Sequence, residues 1–222
     1  MSYKQVKYFL NLEDYPAAYK IARADWEADP SLKWPKSTIA WLLIRMMKLN
    51  ARAYAMNKFL QQLEEFKALE IPTDDKKLWG AVAWPIRDIV QDSWEMLWFT
   101  PQFGDELFAA IKDLPFEKPS EAYSAMGKAF IRLGGLWPRL AEFIEWWGFN
   151  NFTAYDYRRY PEAGALESLA EKVFSAYLVA LHREEKMREP SQAFFNGLDD
   201  LALRSKEQAD KVYRILNYEK KK

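Results

Sequence analysis

Apolar residues recur at intervals of three and four along nearly the whole chain of 222 residues. This spacing places them on one side of an α-helix, whereas a half-buried strand would need strict alternation. No Asn-Gly or Asp-Gly pair stands between two alternating runs, so no β-hairpin is predicted. The pattern therefore predicts an all-α protein.

Prolines and glycines between the apolar stripes mark the predicted helix ends, and Pro85 is expected to start or kink a helix. We expect a single helical domain over 1–222, with a division into 1–115 and 119–222 as the alternative. The predicted helices cover 3–11, 14–28, 36–49, 53–70, 75–91, 93–112, 120–133, 137–148, 163–188 and 191–217.

The last two predicted helices carry the clearest stripes. The first stripe consists of Leu166, Leu169, Val173, Tyr177 and Ala180, and the second of Leu198, Leu201, Ser205, Ala209, Val212 and Leu216. Between them, Pro190 stops one helix and the Ser191 side chain is suited to capping the next. Because this connection is short, we expect the chain to end in a long antiparallel helical hairpin.

The absence of cysteine excludes disulfides, thiolate nucleophiles and cysteine-based metal sites. The first residues lack the apolar core of a secretory signal. The apolar run 39–44 ends at Arg45, far short of the roughly 20 residues that a membrane span needs. We therefore expect a cytoplasmic protein without membrane insertion.

Two segments share a pattern of small and aromatic residues. The first has Ala18 and Ala22 four apart, with Asp25 in place of a further small residue and Pro30 at the end. The second contains Met126, Gly127, Phe130, Leu133, Gly134 and Phe143. Together they cover about a third of the chain and resemble parts of the tetratricopeptide repeat, although a whole number of units of about 34 residues does not separate them.

This resemblance implies an α-solenoid-like stack of antiparallel helix pairs, in which small residues let two helices approach closely. Proteins of that family present a concave surface to a peptide or a partner domain and rarely catalyse reactions. We therefore expect a non-catalytic interaction scaffold for a protein or peptide partner.

Few residues suggest catalysis, and no cofactor is expected. The only histidine, His182, has polar neighbours, and neither a metal-binding helix motif nor a phosphate-binding glycine loop is present. Carboxylates do occur in pairs, Glu142 with Glu145 and Asp199 with Asp200. An all-helical enzyme with buried carboxylates therefore remains an alternative, although such pairs are more often solvated helix surface.

The stretch 31–63 contains six basic residues and no acidic one. If the helix predicted over 36–49 continues or bends only slightly, Arg45, Lys48 and Arg52 share one face. Such a face is either simply solvated, or binds an acidic protein or peptide, or binds nucleic acid with help from aromatic stacking. The candidate partner-binding residues here are Lys36, Arg45, Lys48 and Arg52, with Trp34 and Trp41 nearby.

A second candidate surface is the aromatic segment 146–160. It either folds inward between helix pairs or exposes its rings to a partner, because interface hot spots favour Trp, Tyr and Arg. We favour the inward alternative for the two phenylalanines, which have no polar atom. The segment contains Trp146, Trp147, Phe149, Phe152, Tyr155, Tyr157, Arg158, Arg159 and Tyr160; the candidate partner-binding residues among these are Trp146, Tyr155, Tyr157, Arg158 and Arg159.

Overall fold

A computed structural model describes residues 2–118, 120–149, 163–183 and 189–219. Within these residues every regular element is helical and no strand occurs, which confirms the all-α prediction. A 3₁₀ turn lies at Gly134–Leu136. The helices are α1 (Ser2–Asn11), α2 (Tyr15–Ala28), α3 (Lys33–Arg52), α4 (Met56–Lys67), α5 (Lys76–Glu95), α6 (Pro101–Ile111), α7 (Glu121–Ile131), α8 (Leu140–Trp147), α9 (Ala163–Arg183), α10 (Gln192–Arg204) and α11 (Lys206–Glu219).

Short polar side chains define where several helices begin. The side chains of Asp14, Asp75, Thr100 and Ser120 each accept a hydrogen bond from the backbone N–H three residues later, at 3.1–3.2 Å. Ser191 does the same for α10, as predicted, with 3.4 Å between its Oγ and the nitrogen of Phe194. These bonds satisfy backbone donors that have no partner within the helix.

Two predicted helix boundaries were wrong. Helix α5 runs through Pro85 as far as Glu95, and α6 begins only at Pro101, where Thr100 supplies the cap. The predicted helix 191–217 is interrupted at Ser205, which has φ −148° and ψ 98°. The Ser205 N–H donates to the Leu201 carbonyl at 2.7 Å and its Oγ accepts from the Gln208 N–H at 3.4 Å, so this residue closes α10 and opens α11.

Several turns between successive helices contain a residue with a left-handed backbone conformation. Glu13, Tyr54 and Leu97 have positive φ values of 56°, 54° and 61°, and Gly134 after α7 has 54°. Glu70 after α4 has φ 49° and Gly148 after α8 has φ 96°, so left-handed residues follow helices at uneven intervals along the chain. In the turns at Glu13, Tyr54 and Leu97 the following N–H reaches the carbonyl five residues earlier, as in a Schellman motif: Asp14 to Phe9, Ala55 to Asn50 and Trp98 to Ser93, at 2.7–3.0 Å.

Helix α5 packs against both α3 and α7, and these contacts connect the two halves of the chain on either side of 112–120. Helix α3 also contacts α2 and α4, while α9 contacts α8 and α11. The small residues Ala18 and Ala22 are fully buried, and Gly127 lies directly against the indole of Trp147. Small side chains thus stand at close approaches between elements, as the sequence pattern suggested.

Candidate functional site

The outer face of α3 carries three of the predicted basic residues. At about 100° per residue, Arg45, Lys48 and Arg52 project to the same side of the helix as Trp41. Arg45 and Arg52 are exposed and Lys48 is half-buried. The opposite side of α3 belongs to the core: Leu43, Met47 and Ala51.

Lys36, another of the candidate partner-binding residues, does not share this face with Arg45, Lys48 and Arg52. It lies nine positions before Arg45, and about two and a half helical turns place the two side chains on opposite sides of α3. Its ammonium group instead lies near α4, where Nζ is 3.4 Å from the carbonyl oxygen of Glu70.

Acidic residues that are distant in sequence lie near the basic face in space. Burial raises the pKa of Asp92 on α5, and the negative charges of Asp88 and Glu95 raise it further. The nearby charge of Arg52 acts in the opposite direction on the same carboxyl. Arg52 is therefore partly compensated, and the face is less uniformly positive than the sequence indicated.

A groove of about 490 Å³ lies between the α1–α2 turn and α3. Its apolar and aromatic residues come from both sides, and one cation, Arg45, and one carboxylate, Glu13, are exposed in it. Neither group forms an ion pair with any residue that the structure describes. The lining residues are Leu10, Glu13, Tyr15, Ser37, Thr38, Trp41, Leu42 and Arg45.

Two neighbouring contacts position the aromatic rings of α3. The Lys77 Nζ of α5 lies 5.6 Å from the ring centroid of Trp41 and adds a cation beside the groove. Trp34 packs edge-on against Tyr3 of α1, with 5.1 Å between the ring centroids. Trp41 is therefore the α3 tryptophan that lines the groove, and Trp34 packs on α1 instead.

The described part of the aromatic segment folds inward. Trp147 is buried, its indole N–H donates to the Tyr123 carbonyl at 3.1 Å, and the Tyr123 hydroxyl donates to the Trp147 carbonyl at 3.3 Å. Phe149 stacks on Phe174 at a centroid distance of 5.0 Å and contacts Tyr177 and Phe194 edge-on. The inward alternative is thus confirmed for Trp147 and Phe149.

Trp146 is half-buried at the edge of the same aromatic cluster, and its indole N–H donates to the Lys112 carbonyl at 2.8 Å. It lines no part of the groove around Arg45. The remaining candidates of that segment, Tyr155, Tyr157, Arg158 and Arg159, lie outside the described residues, as does Phe152.

Of the two carboxylate pairs, Asp199 and Asp200 are exposed on α10, and Glu142 and Glu145 have structural partners. Glu142 receives two hydrogen bonds of 2.8 Å from Arg139, and Glu145 accepts one from the Tyr177 hydroxyl. Among the described residues, no group of three or more potential ligands stands close enough to hold a metal ion. In the same part of the chain, no helix is long and apolar enough to cross a membrane.

No family model, no curated protein and no solved structure matches the chain. Sequence reasoning found Arg45 and Trp41 but missed Glu13, Tyr15 and Lys77. These three come from other helices or turns, so no local pattern connects them to α3.

Proposed function

We propose that this protein is a non-catalytic scaffold that binds a peptide segment of a partner protein, built as an α-solenoid-like stack of helix pairs. Tight turns between successive helices support the stack. Contacts between opposite helix ends support antiparallel pairs: Lys36 with Glu70 and Asn50 with Gln62 for α3 and α4, and Tyr123 with Trp147 and Phe130 with Phe143 for α7 and α8.

The groove beside α3 is the observation that carries the proposal. The half-buried side chains of Leu10 and Trp41 offer apolar surface, while Arg45 is exposed in the same groove. Binding sites combine apolar area with a few polar groups that fix orientation. Such a groove fits an extended segment with an acidic side chain next to an apolar or aromatic one.

Glu13 favours a peptide over a polyanion. Its carboxylate lines the groove together with Arg45, so a phosphate backbone lying there would be repelled on one side. A peptide carries both charged and polar groups and is able to satisfy both residues. The Asp92 carboxyl near Arg52 further weakens the case for a continuous positive track.

Nucleic acid is the second candidate because Arg45 and Lys48 flank Trp41 and form no ion pair with any residue that the structure describes. Lys77 adds a third cation beside the same ring. Cations around a partly exposed ring are suited to holding phosphates and stacking a base.

A random peptide library displayed on phage tests the proposal directly. Selection on the full chain should enrich peptides with an acidic residue close to an apolar or aromatic one. We expect the selected peptides to bind Trp41→Ala and Arg45→Glu at least about tenfold more weakly, which corresponds to roughly 1.4 kcal/mol. Arg204→Glu is the matched control, because Arg204 is exposed on the distant α10 and lines no part of the groove.

Two outcomes would contradict the peptide proposal. One is that no peptide is enriched; the other is that enriched peptides bind Arg45→Glu as tightly as Arg204→Glu. Fluorescence anisotropy with a single-stranded oligonucleotide at two salt concentrations tests the second candidate. Binding that weakens with salt and disappears when Arg45 and Lys48 are both replaced by Glu would favour nucleic acid.

A further inference from the structure

Three aromatic rings meet beneath Lys118, between the loop before α7, the start of α7 and the end of α8. They belong to Phe116, Tyr123 and Trp146, and their centroids lie 5.6 Å, 6.1 Å and 6.2 Å apart. Phe116 and Tyr123 are buried, whereas Trp146 is half-buried. The three rings thus form an aromatic cluster, remote in sequence from the groove on α3, and we call the space beside Tyr123 and Trp146 that a cation occupies the aromatic cleft.

The ammonium group of Lys118 occupies this cleft. Its Nζ lies 4.8 Å from the ring centroid of Tyr123 and 5.0 Å from that of Trp146. Lys118 is exposed overall, so its side chain is able to leave the cleft without rearranging the core. No carboxylate pairs with it among the residues that the structure describes. The aromatic faces are therefore the favourable contacts of this charge.

The rings are held in place by their polar atoms. The Trp146 indole N–H donates to the Lys112 carbonyl at 2.8 Å, and the Tyr123 hydroxyl donates to the Trp147 carbonyl at 3.3 Å. Both polar atoms are thus bound to backbone, and the negative faces of the rings remain for the cation. A site formed in advance in this way costs a ligand little reorganisation.

A primary ammonium is not the cation best suited to this cleft. It is strongly hydrated, and partial burial lowers the pKa of Lys118. An ammonium that carries methyl groups is more weakly hydrated and presents apolar surface to the rings. Pockets of aromatic rings are the usual recognition site for such groups.

We propose that the cleft formed by Phe116, Tyr123 and Trp146 binds a methylated ammonium group, and that Lys118 is an internal competitor that occupies it in the free protein. The same chemistry occurs in a choline-type molecule and in a trimethylated lysine side chain. This inference uses residues separate from the groove on α3, so either proposal is able to fail without the other.

Tetramethylammonium is the probe, and its binding to the full chain is followed through the indole N–H signals of an ¹H–¹⁵N NMR spectrum. We expect the Trp146 signal to shift during the titration. Lys118→Ala should bind roughly three- to tenfold more tightly than the wild type, because the competitor is gone. Lys118→Arg should bind no more tightly than the wild type, because it keeps a cation over the rings.

Neutral tert-butyl alcohol, which has nearly the same size and shape, is the control ligand. If it shifts the same signal with the same affinity, the cleft recognises shape and not charge, and the proposal is wrong. Equal affinity of the wild type and Lys118→Ala for tetramethylammonium would also overturn it. Trp146→Phe in the Lys118→Ala background should weaken binding while retaining the helical circular dichroism spectrum.

Two further ligands show whether the methylated ammonium group belongs to a small molecule or to a modified lysine of a partner protein. Choline is compared with a short peptide that contains trimethyllysine, and the unmethylated peptide is its control. If the methylated peptide binds more tightly than choline, the natural ligand is a modified partner protein. If choline binds more tightly, the natural ligand is a small molecule. If neither binds Lys118→Ala more tightly than the unmethylated peptide does, the proposed ligand class is wrong.

Discussion

A β-carbon added to Gly127 on α7 would lie 2.0 Å from Cε2 of the Trp147 indole on α8. No pair of heavy atoms tolerates this distance without bonding, so the two helices approach as closely as they do because residue 127 has no side chain. The same indole N–H is bound to the Tyr123 carbonyl, which limits how far the ring is able to move.

Replacing Gly127 by Ala should therefore destabilise the protein by about 1–3 kcal/mol, the usual cost of inserting a methyl group into a packed core. Gly80→Ala is the matched control, since its β-carbon would lie 3.4 Å from the flexible carboxylate of Glu117. There the better helix propensity of alanine should leave stability equal or up to about 1 kcal/mol higher. Urea unfolding of both variants measures the difference, and equal effects would contradict the close approach.

Leu97 carries backbone strain that glycine would relieve. Its φ is 61° and the residue is 84% exposed. Substitution by glycine therefore removes the strain of the left-handed backbone and sacrifices little packing. We expect Leu97→Gly to stabilise the protein by about 1 kcal/mol. Met96→Gly is the control, because Met96 has an ordinary φ of −96° and should lose stability. Thermal melting that ranks the two variants in the reverse order would refute this.

The Tyr177 hydroxyl connects three elements. It donates to Glu145 Oε1 at 2.5 Å and accepts from the Ser191 N–H at 3.0 Å, which joins α9 to α8 and to the start of α10. Tyr177→Phe should cost about 1–3 kcal/mol, because a half-buried carboxylate and a backbone N–H each lose this hydrogen bond. Tyr213→Phe on the exposed side of α11 should change stability by less than about 0.5 kcal/mol. Similar losses in chemical denaturation would show that the bonds of Tyr177 contribute nothing specific.

The effect of Tyr177→Phe should depend on pH. Burial, and then the hydrogen bond to Glu145, raise the pKa of Tyr177 to about 12. The unfolded tyrosine ionises near pH 10, so its contribution is complete below that pH and is lost as the pH rises towards 12. The stability difference between the wild type and Tyr177→Phe should thus be constant up to about pH 9 and shrink above pH 10. A difference that grows in this range would show that the sign is wrong.

Leu201 and Leu203 test the stripe on α10. Leu201 is 6% exposed and Leu203 is 87% exposed, although only one residue separates them. Leu201→Ala should cost about 2–5 kcal/mol, the range for emptying a packed leucine site, whereas Leu203→Ala should cost almost nothing. Equal losses in equilibrium unfolding would mean that α10 is rotated about its axis.

Local sequence patterns predicted much of the fold. The buried residues Leu198, Leu201, Val212 and Leu216 lie on the predicted stripes, and Ser191 caps the helix that it was expected to cap. These predictions succeeded because helical periodicity and capping depend on residues within about one turn of each other. The break at Ser205 was missed because apolar residues continue at helical spacing on both sides of it.

The sequence by itself determined most of the helices, the buried faces that carry the apolar stripes and the inward position of Phe149. Only the tertiary structure decided which charges and rings meet: Glu13 lines the same groove as Arg45, Asp92 lies near Arg52, and Lys118 covers Tyr123 and Trp146. Each of these pairings joins different elements. Their distances depend on how helices pack against one another, and no spacing within a single helix contains that information.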